Sequence, residues 1–313
     1  MPEGPEVEQV RRELLLLEGQ VVQQAQLTPL ALKYQRYVEQ EEKIGLLRGR
    51  TLTKVERRGK YLVWWFGPDP DNLKVMNHLG MTGAWHVSGQ KNEELPSHSK
   101  VVLDFASGTR AIFDDVRNFG RFVVYRSAEE MMTRCEALRK LGIDGLAVPF
   151  PQAEFEDLLA IPRNQTKTLG EVLLDQRLVA GVGNIYKSEA LFRARLHPET
   201  IVSELGRQEM KSLGKAVSEV LCQALESGGS TISNFQSPTG VEGKAQEWHQ
   251  VYAREDRPCL VCGTPVERLV QRDRSTFYCP TCQPRKKGGR GTKRQESAKK
   301  TTQKGRVGRR QRR

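Results

Sequence analysis

No run of about eighteen apolar residues occurs anywhere in the 313-residue chain, so no segment has the length and hydropathy of a membrane-spanning helix. The start lacks the basic-then-apolar pattern of a secretory leader and is acidic instead, so the protein is expected to be intracellular. No internal repeat is found. Net charge is missing where a nucleic-acid binder would be expected to carry it. The whole chain sums to +12, but residues 283–313 hold fourteen Lys and Arg against one Glu, which leaves residues 1–282 at −1. Any polyanion surface on the folded part must therefore come from local arrangement of charge. Residues 284–313 also lack almost all large apolar side chains, cannot bury a core, and are expected to be disordered.

Cysteine is sparse, with six residues, and four of them are tightly patterned. Cys259, Cys262, Cys279 and Cys282 form C-x2-C-x16-C-x2-C, the spacing of one tetrahedral zinc site. Four thiolates leave no open position for water, so this Zn2+ is read as structural. Cys135 and Cys222 fall in apolar-periodic stretches and read as buried thiols.

The length suits two or three domains. Val7, Val10, Leu14 and Leu17 make a helical stripe that stops at Gly19. Short β-rich runs follow at Val21–Leu27, Thr51–Phe66, Leu73–His78, Val101–Phe105, Arg110–Phe113 and Arg121–Tyr125. Beyond Ser127 the pattern turns helical: Glu129–Leu141, Gln152–Ala160, Thr168–Leu178, Asn184–Ala194 and Gln208–Leu225. The expected fold is α+β and multidomain. An N-terminal β-sandwich with an N-terminal helix spans 1–128 and a linker 129–151. A helical domain follows at 152–250, then a zinc-finger β-hairpin at 251–283 and the basic tail at 284–313.

The chain opens Met1-Pro2-Glu3-Gly4-Pro5-Glu6. Methionine before proline is normally trimmed, which would leave Pro2 as a secondary amine. An α-amino group has a pKa near ~8, so much more of it than of a lysine is an uncharged nucleophile at neutral pH. Carboxylates one and four residues away complete an apparatus for Schiff-base chemistry. The same six residues also suit a proline-opened helix with acids in its first turn. Farther on, Gly181-Val182-Gly183-Asn184 joins two helices, with Asn184 expected to cap the second and its backbone N–H groups to form an anion site. Lys60 follows two arginines ahead of an apolar strand. Met81 and Phe119 adjoin glycine turns beside Arg117, where they serve either as core or as wedges for a base stack.

In this combination and order the motifs resemble the bacterial formamidopyrimidine-DNA glycosylase and endonuclease VIII superfamily over residues 1 to 283. Within it, Gly-Asn-Ile-Tyr-x-x-Glu-x-Leu-Phe ending at His197-Pro198, with the separate Met81, Arg117 and Phe119, is similar to the formamidopyrimidine branch. The resemblance implies a bifunctional glycosylase and abasic-site lyase acting on oxidised purines in damaged double-stranded DNA. It implies that Pro2 is the nucleophile, Glu3 the general acid/base, Glu6 its support, and Lys60 a phosphate contact. Met81, Arg117 and Phe119 would fill the gap left by the everted nucleotide. The helical domain at 152–250 would be a DNA-binding helix–two-turn–helix module with Asn184, Tyr186 and Arg177 at the DNA, Arg274 would clamp a phosphate, and residues 230–246 would close over the lesion. A monomer in the bacterial cytoplasm, associated with the nucleoid, is expected.

Gly4 stands where this branch more often has leucine, Val116 replaces the usual proline of Asp-Pro-Arg, and Arg177 stands where some members carry lysine. The tail is an extension that reads as a salt-sensitive DNA tether. Two other readings stay open: the same machinery aimed at oxidised pyrimidines, and a DNA-binding relic without catalysis.

Overall fold

The computed structural model describes residues 1–67, 72–89, 94–230 and 243–286. Most of the expected lesion-covering stretch at 230–246, and the tail from residue 287, lie outside the described residues.

Helix α1 (Gly4–Leu14) starts at Pro5, whose fixed φ suits a first turn, and the Glu6 side chain reaches back to the Glu3 N–H at 2.8 Å. Its stripe of Val7, Val10 and Leu14, with Leu17 beyond, is fully buried against a sandwich of two four-stranded antiparallel sheets. One sheet orders its strands β1-β6-β7-β5: β1 is Val22–Leu27, β5 Gly83–Ser88, β6 Ser99–Phe105 and β7 Arg110–Asp115. The other orders them β2-β3-β4-β8: β2 is Thr51–Arg58, β3 Tyr61–Gly67, β4 Leu73–His78 and β8 Arg121–Tyr125. Trp64 of one sheet meets Trp85 of the other with ring centroids 4.8 Å apart. The Trp85 indole N–H, buried with them, donates to Asn77 Oδ1 at 2.9 Å, whereas the Trp64 indole N–H has no partner among the described residues.

Three departures from the sequence reading have physical causes. The expected run Thr51–Phe66 is two strands, because Gly59 takes φ +60° and turns the chain at Gly59-Lys60. Strand β5 was not expected; it is an edge strand that starts inside the glycine turn at Gly80–Gly83. The expected helix Thr168–Leu178 is a single turn, Leu169–Val172, closed by a Thr168/Glu171 capping box.

Ala128–Arg134 and Glu136–Arg139 cover the outer face of β3, β4 and β8 through Met131, Cys135 and Leu138. The linker then joins the second domain by a short parallel pairing of Ile143–Asp144 with Val179–Ala180. There the helices Gln152–Ala160, Asn184–Arg193 and Arg207–Glu226 share one core. Arg57 bridges the two domains: its guanidinium donates to Glu8 of α1 at 3.1 Å and to Asp144 of the linker at 2.6 Å. Cys135 is buried as expected, whereas Cys222 is only half-buried because its side of the long helix faces the interdomain groove beside Arg12 and Val148. The ordered chain also runs past the expected tail boundary at 284, with Lys286 donating to Glu209 at 2.5 Å. Among the described residues no helix is long and apolar enough to cross a membrane.

His249 is 6 % exposed between Trp248 and Tyr252, and its Nε2 has no partner among the described residues. Burial lowers its pKa from 6.5 to about 4. Below pH 6.5 the unfolded chain then binds a proton that the folded chain refuses, so stability is lost as pH falls from 6.5 towards 4. His249→Phe should flatten this part of the thermal-midpoint profile, removing up to about 3 kcal/mol of acid sensitivity. Parallel profiles for the two proteins would show that His249 is not the group responsible.

Candidate active site

The site forms where α1 meets the start of the helix Asn184–Arg193. That helix begins with unpaired backbone N–H groups and the positive end of its dipole. Glu3 fills the position. Its carboxylate accepts from Gly183 N at 2.8 Å, Ile185 N at 2.9 Å and Tyr186 N at 3.3 Å. Asn184 was expected to cap this helix, but Gly183 is the N-cap and Asn184 makes no capping bond. The anion expected at these N–H groups is the chain's own carboxylate. Gly183 leaves the room it needs, since a Cβ there would overlap the Glu3 carboxyl carbon. A second contact fixes the approach: Gly4 N donates to Gly181 O at 2.8 Å. A Cβ on Gly4 would come within 3.1 Å of the Gly181 Cα, a tight contact that a small shift of either backbone relieves.

Glu6 lies one helical turn on, buried, accepting from the Tyr186 hydroxyl and from Ser230 N at 2.7 Å. Burial, reinforced by the charge of Glu3, raises its pKa. Lys60, also buried, is held at the β2–β3 turn, and burial lowers its pKa, with Arg274 adding to the effect and Glu3 and Glu6 opposing it. The chain amine, on Met1 here, is lowered by burial first, and Lys60 and Arg117 add to that against Glu3 and Glu6. Pro2, buried beside it, thus shares one charged pocket with Glu3, Glu6, Lys60, Arg117 and Arg274. While Met1 is attached the Pro2 nitrogen is an amide, and it becomes a secondary amine only once Met1 is removed.

Of the two readings for Met81 and Phe119, the structure selects the exposed one, at 39 % and 49 % exposure. Their loops are pinned from below by buried Asp115, which accepts from the Thr82 hydroxyl at 2.7 Å and from Gly120 N at 2.7 Å. Arg117 N donates back to Thr82 Oγ1 at 2.9 Å, and the Arg117 guanidinium lies 5.3 Å from the Phe119 ring centre. These bonds hold the loop that carries Val116 in place of proline.

Tyr186 is buried rather than displayed at the surface, and its hydroxyl serves Glu6. Arg177 is half-exposed with its guanidinium bonded twice to Asp175. Asn184 is half-buried and donates to the Ser275 carbonyl at 2.6 Å, tying the helix to the hairpin that carries Arg274. That hairpin pairs Glu267–Gln271 with Arg274–Tyr278 across Arg272-Asp273, both at positive φ as a tight two-residue turn requires. At its base the four cysteine sulfurs lie within 4.8 Å of one another, with neighbouring pairs 3.4 and 3.9 Å apart. Sulfurs on a tetrahedral zinc at about 2.3 Å would be about 3.8 Å apart, so this donor set fits one structural Zn2+.

Two groups escaped the sequence reading. His78 faces the charge of Lys60, and burial takes its pKa to about 4. Its Nδ1 accepts from Gly80 N at 3.0 Å, which leaves Nε2 as the protonated donor. Lys187 is buried inside the second domain with the whole of Ile185–Phe192, Ser188 and Glu189 included, and no local signal in the sequence marked it.

Seating of Glu3 depends on a missing side chain. Gly183→Ala is therefore expected to lower stability by about 2 kcal/mol or more, while Gly45→Ala, where a Cβ meets only open space, should change little. Equal thermal midpoints for the two variants would contradict the seating.

The chain is similar to known proteins over about 90% of its length. The family model for the formamidopyrimidine-DNA glycosylase N-terminal domain matches residues 1–122. The H2TH domain of the same glycosylases matches 141–236, and the zinc finger found in FPG and IleRS matches 257–285. A formamidopyrimidine-DNA glycosylase of Ligilactobacillus salivarius is 36% identical over 285 residues, covering 90% of this chain and 99% of the relative. The crystal structure of MutM (Fpg) from Thermus thermophilus superposes with TM-score 0.76 at 38% identity, covering 90% of this chain and 98% of that one. Lactococcus lactis Fpg, in complex with abasic-site DNA, gives TM-score 0.76 at 30% identity, covering 90% of this chain and 100% of that one. The same Lactococcus protein has been solved with Fapy-dG-containing DNA and with oxidized-pyrimidine-containing DNA. With all three domains matched in order, the chain belongs to the formamidopyrimidine-DNA glycosylase family.

Proposed function

We propose that this glycosylase and abasic-site lyase of base-excision repair removes oxidised purines, chiefly 8-oxoguanine opposite cytosine and ring-opened formamidopyrimidines, through the amine of Pro2. The observation that carries the reading is the seating of the amino terminus. Three backbone N–H groups grip Glu3, and this places position 2 in a pocket with one further carboxylate and three cations. A chain that used residues 1–6 only to open a helix would have no need to fix them against a domain some 180 residues away.

In this mechanism the Pro2 nitrogen attacks C1′ of the everted nucleotide, the glycosidic bond breaks, and the base leaves with a proton. The proton that the Pro2 nitrogen gives up balances the departing base, and Glu3 delivers a proton to the sugar ring oxygen as the C1′–O bond breaks and the iminium forms. The protons next to the iminium carbon are then acidic, and β- and δ-elimination cut the strand. Glu6, held by Tyr186 and Ser230, keeps a second acid beside the reacting sugar. Lys60, Arg177 and Arg274 take backbone phosphates, Asn184 holds the hairpin that carries Arg274, and Met81, Arg117 and Phe119 offset the cost of unstacking by filling the gap. The tail adds non-specific affinity for DNA. Oxidised pyrimidines are the second reading, favoured by the Lactococcus relative having been solved on such DNA.

Single-turnover excision checks the assignment. The full-length protein, shown by mass to begin at Pro2, should release 8-oxoguanine opposite cytosine at least about tenfold faster than thymine glycol. Pro2→Gly should still bind the duplex but lose about a hundredfold or more in excision rate. An unchanged rate would exclude the amine of Pro2, and faster release of thymine glycol would move the enzyme to pyrimidines with its mechanism intact.

A further inference from the structure

A lysine that no solvent reaches is costly, and Lys187 is 0 % exposed. Burial is the main reason its pKa falls to about 7; Glu3 opposes that shift and Arg274 reinforces it, so the ammonium feels both the catalytic carboxylate and the hairpin arginine. A methionine would fill the same space without the desolvation cost, so packing alone does not account for a cation here.

Its bonds show what the cation holds. Lys187 Nζ donates to Asn184 Oδ1 at 2.8 Å and to Thr276 Oγ1 at 2.6 Å. Because Asn184 Oδ1 is occupied by the lysine, its Nδ2 must face the other way, where it donates to the Ser275 carbonyl at 2.6 Å. Thr276 passes its own hydroxyl proton to Gln271 Oε1 at 2.9 Å. Gln271 Nε2 then donates to Thr168 Oγ1 at 2.9 Å and to the Pro198 carbonyl at 3.2 Å. Arg274 is the cross-strand partner of Gln271 and the chain neighbour of Ser275, so both of its backbone neighbours are tied into this network. Its own guanidinium makes no hydrogen bond among the described residues, so the network holds the backbone that carries Arg274 and not the side chain itself.

We infer that Lys187 is a positioning residue for DNA binding: it locks Asn184 and Ser275–Thr276 into one unit and thereby fixes Arg274 of the zinc hairpin relative to the Glu3-bound helix start. This rests on Arg274 contacting a phosphate of the damaged strand, as in the function proposed above. Lys187 touches neither the substrate nor the reacting atoms. Its loss acts through Arg274, on affinity rather than on the rate of chemistry.

A double-mutant cycle on the full-length protein tests this, using a duplex with a tetrahydrofuran abasic-site analogue opposite cytosine as the probe. Lys187→Met should raise Kd about tenfold, leave the single-turnover excision rate at saturating enzyme within about twofold, and leave the thermal midpoint no lower. In an Arg274→Ala background it should raise Kd no further. Thr276→Val, which removes the acceptor from the hairpin side and keeps the lysine, should reproduce the loss and its non-additivity. It decides the matter if Lys187→Met does not fold. Wild-type Kd in either variant, or the same fold-loss with and without Arg274, would overturn the inference alone. A wild-type protein with no preference for the abasic duplex over an undamaged one would overturn the proposed function and this inference with it.

Discussion

The carboxylate of Glu3 at the N-terminus of the helix Asn184–Arg193 is the contact on which the rest of the arrangement depends. It satisfies three backbone N–H groups that would otherwise be buried without partners, and it neutralises the positive end of the helix. The helix needs an anion there and the amino terminus supplies it. The pairing therefore fixes where the chain begins relative to a domain folded much later in the sequence. Because hydrogen bonds to a charged group are stronger and more directional than neutral ones, position 2 is fixed by its neighbour. Glycine at 183 is the steric condition, because a side chain there would overlap the carboxylate, and Gly181 takes a positive φ beside it.

Around that contact the charges are arranged against their own preferences. Burial raises Glu6 and lowers Lys60, while the acids and cations of the pocket partly compensate one another. Such a cluster is a poor device for stability and a suitable one for moving protons and holding phosphates. The wedge loops follow a different logic. Met81 and Phe119 stand exposed at some cost in hydration, on loops made rigid from beneath by Asp115 and Thr82. If they enter a base stack as proposed, rigid support means that they need not first be ordered, so that the entropy is spent in folding rather than in binding.

Much of this was legible in the sequence, because the information was local. The four cysteines carry their ligand geometry in their spacing, the stripe Val7-Val10-Leu14 declares the buried face of α1, and strands such as Leu73–His78 and Arg121–Tyr125 fall where β-rich runs meet turn signals. What stayed hidden was long-range. That the N–H groups after Gly183 bind Glu3 rather than an external anion depends on two segments meeting in space, which no window of sequence reports. Strand β5 was hidden because it is an edge strand opening in a glycine turn, and Lys187 because a lysine reads as surface until its whole helix face proves buried.

Two amines in the pocket have pKa values lowered by burial, the chain terminus and Lys60, and either could in principle form a Schiff base. Borohydride trapping on a duplex carrying 8-oxoguanine opposite cytosine, followed by mass-spectrometric mapping of the adduct, separates them. The account predicts one covalent adduct per chain, on a peptide that begins at Pro2, and none in protein that retains Met1. An adduct on Lys60, or trapping by protein whose Met1 is intact, would contradict it.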